Sequence, residues 1–261
     1  AQNTNLPFWQ LVRYRLAVFG LSYFTPGPQV GGEPLQVIYL ERDHGVTFAR
    51  ATAAVIMDKL LEFLANFILL GIGLTAAIRA GLITRSSTQA IGSLIPLAAI
   101  LLWPLVHLIL LYWGKYPISA MVRAAMSNFK RQKWMRFVIV SERMAGAFTR
   151  RHPLALLAAL GFSLFSWAGM AAEYFMMADF LQAQLTAEQT LAALTVALFA
   201  FLMPLPGGLG ALEVSQVYVM TTFGHPAAIG IGISLLMRAR DILNGGLGLL
   251  MAGVQSGKDK K

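Results

Sequence analysis

The sequence lacks cysteine and is poor in charged residues. None of the 261 residues is cysteine, so disulfide bonds and thiolate metal sites are excluded. Only 13% of the residues are charged, whereas soluble globular proteins carry about 25%. Hydrophobic residues make up 57% of the chain. This composition excludes an ordinary soluble domain and is typical of a protein embedded in a bilayer.

The sequence also lacks the signals of an enzyme site. Its four histidines are scattered without metal-ligand spacing, and it contains neither a P-loop nor a nucleophile elbow. We therefore predict no catalytic residue, no metal and no cofactor. The net charge of +9 does not indicate nucleic acid, because the basic residues concentrate in one stretch and in the C-terminal tail, as the positive-inside rule predicts for membrane proteins.

Long apolar segments indicate several helical spans, each of which needs about 20 residues. Two further apolar segments are too short to cross a bilayer alone. We predict an all-α, polytopic integral membrane bundle that forms a single transmembrane domain over residues 1–261, and we expect the natural chain to begin before Ala1. The four long segments are residues 51–78, 90–113, 154–181 and 227–251, and the two short ones are residues 8–24 and 191–203.

A glycine-rich break follows each short segment. The first break, residues 28–33, reads Pro-Gln-Val-Gly-Gly-Glu, and the second, residues 206–213, reads Pro-Gly-Gly-Leu-Gly-Ala-Leu-Glu. Paired short segments that are interrupted by glycine and proline in two halves of a chain indicate a transporter site. We predict two re-entrant hairpins in an inverted repeat, with repeat one over about residues 8–78 and repeat two over about residues 186–251.

Residues 115–153 form a basic stretch that predicts the orientation. They hold nine of the 21 Lys and Arg residues and one acid, Glu142. We expect this stretch and the C-terminus on the cytoplasmic side of the inner (plasma) membrane. Part of it should lie on the membrane surface as an amphipathic helix. A lipid-specific sensor is the alternative to an ordinary cytoplasmic loop.

Charged residues inside predicted spans are candidates for binding. Such residues are costly in a bilayer and by default mark functional sites. Asp58 and Glu62 share one helical face, and Arg238 and Asp241 share a face of the last span. We predict all four as substrate ligands, with at least one of the two acids of the first half near Arg238. Structural ion pairs between packed helices remain the alternative.

The glycine-rich breaks predict an anion site. A helix that begins inside the membrane leaves free N–H groups at its start, where about half a positive charge favours phosphate. Glu33 and Glu213 follow in the first turns of the next helices, where they either cap the helix, contact a cationic part of the substrate or exchange protons. The expected phosphate-binding N–H groups are those around Gly31, Gly32, Gly207 and Gly208.

These residues resemble the two signatures of the lysylphosphatidylglycerol synthase transmembrane family. The first signature combines Pro28, residues 31–35, Gly45-Val46 and residues 53–61; the second combines residues 204–213, Gly224 and Arg238. The resemblance covers about residues 8–250. The family includes the flippase-like membrane region of the multiple peptide resistance factors, in which a separate soluble domain performs aminoacyl transfer.

The resemblance implies a lipid flippase or lipid transporter that moves a phosphate-bearing head group across the bilayer. The expected partners are membrane lipids, in particular anionic phospholipid, with a homo-oligomer left open. No aminoacyl-transfer domain is visible in the sequence, so we expect no synthase activity. Two alternatives stay open: a membrane module of a lipid-modifying transferase, and a transporter of a small anion.

Overall fold

The computed structural model of the chain consists of helices joined by short turns and loops in the residues that it describes. It describes residues 7–25, 32–82, 102–125, 132–203 and 205–258, and no strand occurs within these ranges. The all-α membrane prediction is confirmed for them, whereas the re-entrant path of the hairpins and the inverted repeat stay predictions. The helices are α1 (Phe8–Phe24), α2 (Glu33–His44), α3 (Phe48–Arg79), α4 (Leu102–Tyr112), α5 (Pro117–Ala125), α6 (Gln132–Arg151), α7 (Pro153–Phe180), α8 (Ala187–Leu202), α9 (Ala211–Thr222) and α10 (Ala227–Lys258).

Two of these helices are long and apolar enough to cross a bilayer, α3 with 32 residues and α7 with 28. A third candidate arises if α4 and α5, which bend by 98° at their junction, form one broken span. α10 is as long as α3, but Arg238, Arg240 and Asp241 interrupt its apolar sequence and it is not among these candidates. The predicted span over residues 90–113 lies partly outside the described residues.

The boundaries of α8 follow from its sequence. The Thr186 hydroxyl accepts a hydrogen bond from the Gln189 N–H at 3.2 Å, and the Gln189 side chain accepts one from the Thr186 N–H at 2.9 Å, which is a capping box. At the other end Met203 precedes a proline, and residues before proline avoid the helical region. Met203 is accordingly extended, with ψ at 143°. The helix α8 therefore ends at Leu202, a few residues before the second break.

The chain packs as two compact units. The first unit contains Val37–Ile68 and Ser87–Phe165. Its core forms where one end of α3 contacts α4 and α6. The side chains that build this core are Met57, Leu60, Leu61, Leu64, Leu108, Leu111 and Ala145.

The second unit contains Asn5–Gln36, Leu69–Ser86 and Ser166–Lys261. Small residues allow its helices to approach closely. A Cβ atom added to Gly248 of α10 would collide with the Leu16 carbonyl oxygen of α1, and a Cβ on Gly20 of α1 would collide with the Gly245 carbonyl oxygen. The close packing of α1 on α10 places the end of α1 beside the second break.

Candidate functional site

Three glycines form the turn of the second break. Pro206–Gly208 form a single 3₁₀ turn, and Gly210 follows as the N-cap residue of α9. Gly207, Gly208 and Gly210 have φ angles of +54°, +63° and +80°. The left-handed conformation costs other residues about 1–2 kcal/mol each. The glycines therefore allow the chain to pass from α8 into α9 within a few residues.

Arg238 of α10 holds this turn in place. Its Nε and Nη2 atoms bind the two carboxylate oxygens of Glu213, the second at 2.9 Å. The same guanidinium donates to the carbonyl oxygens of Gly207 at 3.2 Å and Gly208 at 3.4 Å. The Arg238 side chain is only 12% exposed. Arg238 thus supplies donors to carbonyl groups that have no helical partner in a break.

Glu213 joins this ion pair to the start of α9. Its carboxylate accepts a hydrogen bond from the Gly210 N–H at 2.9 Å, so it caps the helix from the third position. The helix dipole favours a negative charge at this end. Arg238 and Glu213 together satisfy backbone groups of the break from within the protein. Irregular backbone at membrane depth requires that its polar groups be satisfied in this way.

Tyr23, near the C-terminal end of α1, packs against the same turn. It is 5% exposed, and a Cβ atom added to Gly207 would lie 2.9 Å from Tyr23 Cζ. Arg238 contacts the same glycine through a hydrogen bond to the Gly207 carbonyl oxygen. Sequence reasoning missed Tyr23, because an aromatic residue in a short apolar segment cannot be told from core filling by its local pattern.

The first break contacts α1 at the neighbouring residue. The Gly32 N–H donates to the Ser22 hydroxyl at 2.9 Å, and Ser22 is buried. A Cβ on Gly32 would collide with the Val18 carbonyl oxygen, so this close approach requires glycine. Because Ser22 and Tyr23 are adjacent in the chain, Gly32 of the first break and Gly207 of the second pack on the same end of α1.

A second ion cluster lies further along α10. Arg240 pairs with Glu173 of α7 at 2.6 Å and with its neighbour Asp241 at 2.8 Å. Asp241 is 4% exposed. The predicted ligand Asp241 is therefore already bound by Arg240. The sequence interpretation did not include Arg240 and Glu173 in the site, because the register between α7 and α10 is not visible in the sequence.

An apolar groove lies beside the second break. It has a volume of about 660 Å³ and is bordered by α8, the break and α9. Ser215 and Tyr218 are the hydroxyl-bearing residues of an otherwise apolar wall, and Gly210 is part of that wall as well. The same Gly210 donates to Glu213. The groove therefore adjoins the residues that hold the ion pair.

Two amide groups of the second break, those of Gly208 and Gly210, already donate hydrogen bonds within the protein. The Gly208 N–H, which the sequence interpretation offers to a phosphate, donates to the Leu205 carbonyl oxygen at 3.0 Å. The Gly210 N–H donates to Glu213. At Gly207 and Gly208 the carbonyl oxygens face Arg238. The positive charge at this turn comes from the Arg238 guanidinium, which contacts both carbonyl oxygens.

A known family matches almost the whole chain. The profile described as "Lysylphosphatidylglycerol synthase TM region" matches residues 1–245. The chain belongs to this family. The resemblance drawn from the two sequence signatures is thereby confirmed, and the chain is a membrane module related to lipids. No curated protein and no solved structure matches the chain.

Of the ligands predicted in the first break of this member of the lysylphosphatidylglycerol synthase TM family, the structure describes two and leaves one outside its described residues. Gly31 lies outside the described residues. Gly32 lies against α1, and Glu33 directly after it begins α2. Across the described parts of the chain, no group of three or more His, Asp and Glu side chains is placed to hold a metal ion.

The two acids predicted on α3 belong to the first unit. Glu62 pairs there with Lys59 at 3.2 Å, one helical turn away, and Asp58 lies on the same helix. Arg238 and its partner Glu213 lie in the second unit. The expected pairing of Arg238 with Asp58 or Glu62 stays a prediction.

Proposed function

We propose that this chain moves a phosphate-bearing lipid across the bilayer. The observation that carries the proposal is that glycines of both breaks pack on Ser22 and Tyr23, beside the ion pair of Arg238 and Glu213. The apolar groove at the same turn provides a surface for an acyl chain. A phospholipid combines an apolar chain with a charged head group, so it fits this arrangement better than a small soluble anion does.

Arg238 is the group that we assign to the phosphate. Guanidinium groups bind phosphate more strongly than they bind neutral carbonyl oxygens. The contacts of Arg238 with Gly207 and Gly208 are long, at 3.2 and 3.4 Å, so a phosphate would replace these first. Glu213 would keep α9 capped during the exchange through its bond to Gly210. Release of the lipid would restore the carbonyl contacts.

We further propose that residues 115–153 and the C-terminus face the cytoplasm, with the end of α3 and the start of α8 on the opposite side. The charge distribution supports the first part. The ion pair of Arg79 with Glu188, at 3.3 Å, supports the second, because it joins the end of α3 to the first turn of α8. We propose no chemical step for the chain itself.

One alternative is favoured by the family description, which names the membrane region of a synthase. In that case the site would present a lipid to an enzyme and would not carry it across the bilayer. Binding of lipid without translocation would be the result that distinguishes this alternative.

The test is a translocation assay with the purified chain in liposomes that contain a trace of fluorescent phospholipid. Dithionite bleaches the fluorescent lipid of the outer leaflet. We expect the chain to move inner-leaflet lipid to the outer leaflet, where dithionite bleaches it as well. Arg238→Gln should slow this at least about tenfold, since a hydrogen bond to a charged group contributes about 1.5–3 kcal/mol. Arg79→Gln is the matched control, because that arginine pairs at an exposed position. A folded Arg238→Gln protein with the wild-type rate would refute the assignment.

A further inference from the structure

The first unit carries a basic surface at the junction of α4, α5 and α6, and we propose that this surface binds the anionic head groups of a membrane leaflet. We call it the corner surface. It is separate from the proposed translocation site, which lies in the second unit, so the two proposals stand or fall independently. Its exposed residues are Tyr112, Trp113, Lys115, Arg123, Arg143, Arg150 and Arg151.

Two side chains of α6 fix the shape of this surface. Glu142 accepts hydrogen bonds from the N–H groups of Ile118 and Ser119, at 2.9 and 2.7 Å, at the start of α5. Arg150 donates to the Leu111 carbonyl oxygen at the end of α4, at 2.8 Å. An acid at a helix start and a base at a helix end both match the helix dipole. α6 therefore holds the 98° bend between α4 and α5.

The same arrangement removes the negative charge from the surface. Glu142 is the only acidic residue between residues 102 and 165 of the sequence. It is 2% exposed, and its carboxylate is occupied by the start of α5. The five cationic side chains of the corner surface therefore have no exposed acid from this stretch to neutralise them. Each cation at an anionic membrane surface strengthens binding.

Aromatic residues beside these cations favour a membrane over an acidic protein as the partner. Tyr112 is the last residue of α4 and Trp113 follows it; they are 57% and 66% exposed. The Lys115 ammonium lies 6.0 Å from the centre of the Trp113 ring. Tyr and Trp typically sit at the head-group level of a bilayer. Met121, 63% exposed on the adjoining α5, adds an apolar contact for the upper acyl region.

The test uses the absence of cysteine from residues 1–261. Ala120→Cys, at an exposed position of α5, is labelled with a bimane fluorophore and the full chain is reconstituted in phosphatidylcholine liposomes. Brominated phosphatidylglycerol or brominated phosphatidylcholine is then added at equal mole fraction. We expect stronger quenching by the phosphatidylglycerol, and a loss of this preference when salt screens the charges.

Arg143→Gln and Arg151→Gln should each lower the preference, by about fivefold for a charge at the membrane surface. Arg79→Gln, in the other unit, should leave it unchanged. Equal quenching by the two lipids in the wild-type protein would overturn the proposal, as would a preference that survives both substitutions. Binding of soluble polyglutamate without any lipid preference would also overturn it, because it would identify an acidic protein as the partner. The salt series on the wild-type protein keeps the test valid if a variant fails to fold.

Discussion

Replacing Gly207 by alanine should show whether Tyr23 holds the second break. Gly207 has a φ of +54°, and its added Cβ would lie 2.9 Å from Cζ and 3.0 Å from the hydroxyl oxygen of Tyr23. The tyrosine is 5% exposed, so other protein atoms surround its ring. The substitution therefore requires the Tyr23 ring, the turn or the end of α1 to shift.

The expected loss of stability has two parts. A left-handed conformation costs alanine about 1–2 kcal/mol, and forcing a methyl group into a packed contact costs about 1–3 kcal/mol. We therefore expect Gly207→Ala to lower the free energy of unfolding by about 2–5 kcal/mol. Translocation should fall as well, because the carbonyl oxygen of Gly207 is a contact of Arg238.

Gly45→Ala measures the cost of the left-handed backbone without the cost of the packed contact. Gly45 has a similar φ of +62°, and its added Cβ would meet no atom within 4 Å, so only the backbone cost of about 1–2 kcal/mol applies. A double-mutant cycle provides the second separation. In a Tyr23→Ala background, Gly207→Ala should cost no more than Gly45→Ala does, because the packed contact has been removed.

The measurement is an SDS titration of the protein in detergent micelles, followed by far-UV circular dichroism. The reasoning fails if Gly207→Ala is no more destabilising than Gly45→Ala. It also fails if the cost of Gly207→Ala is the same with and without the Tyr23 ring. Either result would mean that the contact between α1 and the second break does not restrain the turn.

Three further predictions concern the first break, the surface and the topology. Gly32→Ala should destabilise the protein strongly in the same titration, because its Cβ would collide with a backbone carbonyl oxygen of α1. Gly71→Ala, whose Cβ meets no atom within 4 Å, should instead stabilise α3 by about 0.5–1 kcal/mol. Equal effects of the two substitutions would contradict the packing of the first break. Arg79→Gln should change the free energy of unfolding by less than about 1 kcal/mol, because its ion pair with α8 is exposed; a larger loss would show that this pair is structural. Single cysteines at Arg123 and Gln184 should react with impermeant maleimide from opposite sides of the membrane, and labelling from one side would refute the proposed orientation.

Much of the fold follows from local features of the sequence. Apolar segments long enough for the bilayer predicted α3 and α7, and the described helices agree with them to within a few residues. The second break was placed correctly between α8 and α9, and the described helices α1 and α2 end and begin on either side of the first, because glycine and proline act on the chain within a few residues of their own position. Family membership also followed from these local signatures.

The residues that contact one another at the candidate site could not be predicted in the same way. Glu213 was correctly placed in the first turn of α9, and its capping role depends only on its distance from Gly210. Its pairing with Arg238 and the contact of Tyr23 with Gly207 involve residues on different helices. The sequence by itself determined which segments are helical, where the chain breaks and which charges the bilayer makes costly. Only the tertiary structure decided which carboxylate neutralises Arg238 and which helix supports the break, because those choices depend on how closely α1, α9 and α10 pack, and local sequence patterns do not specify that packing.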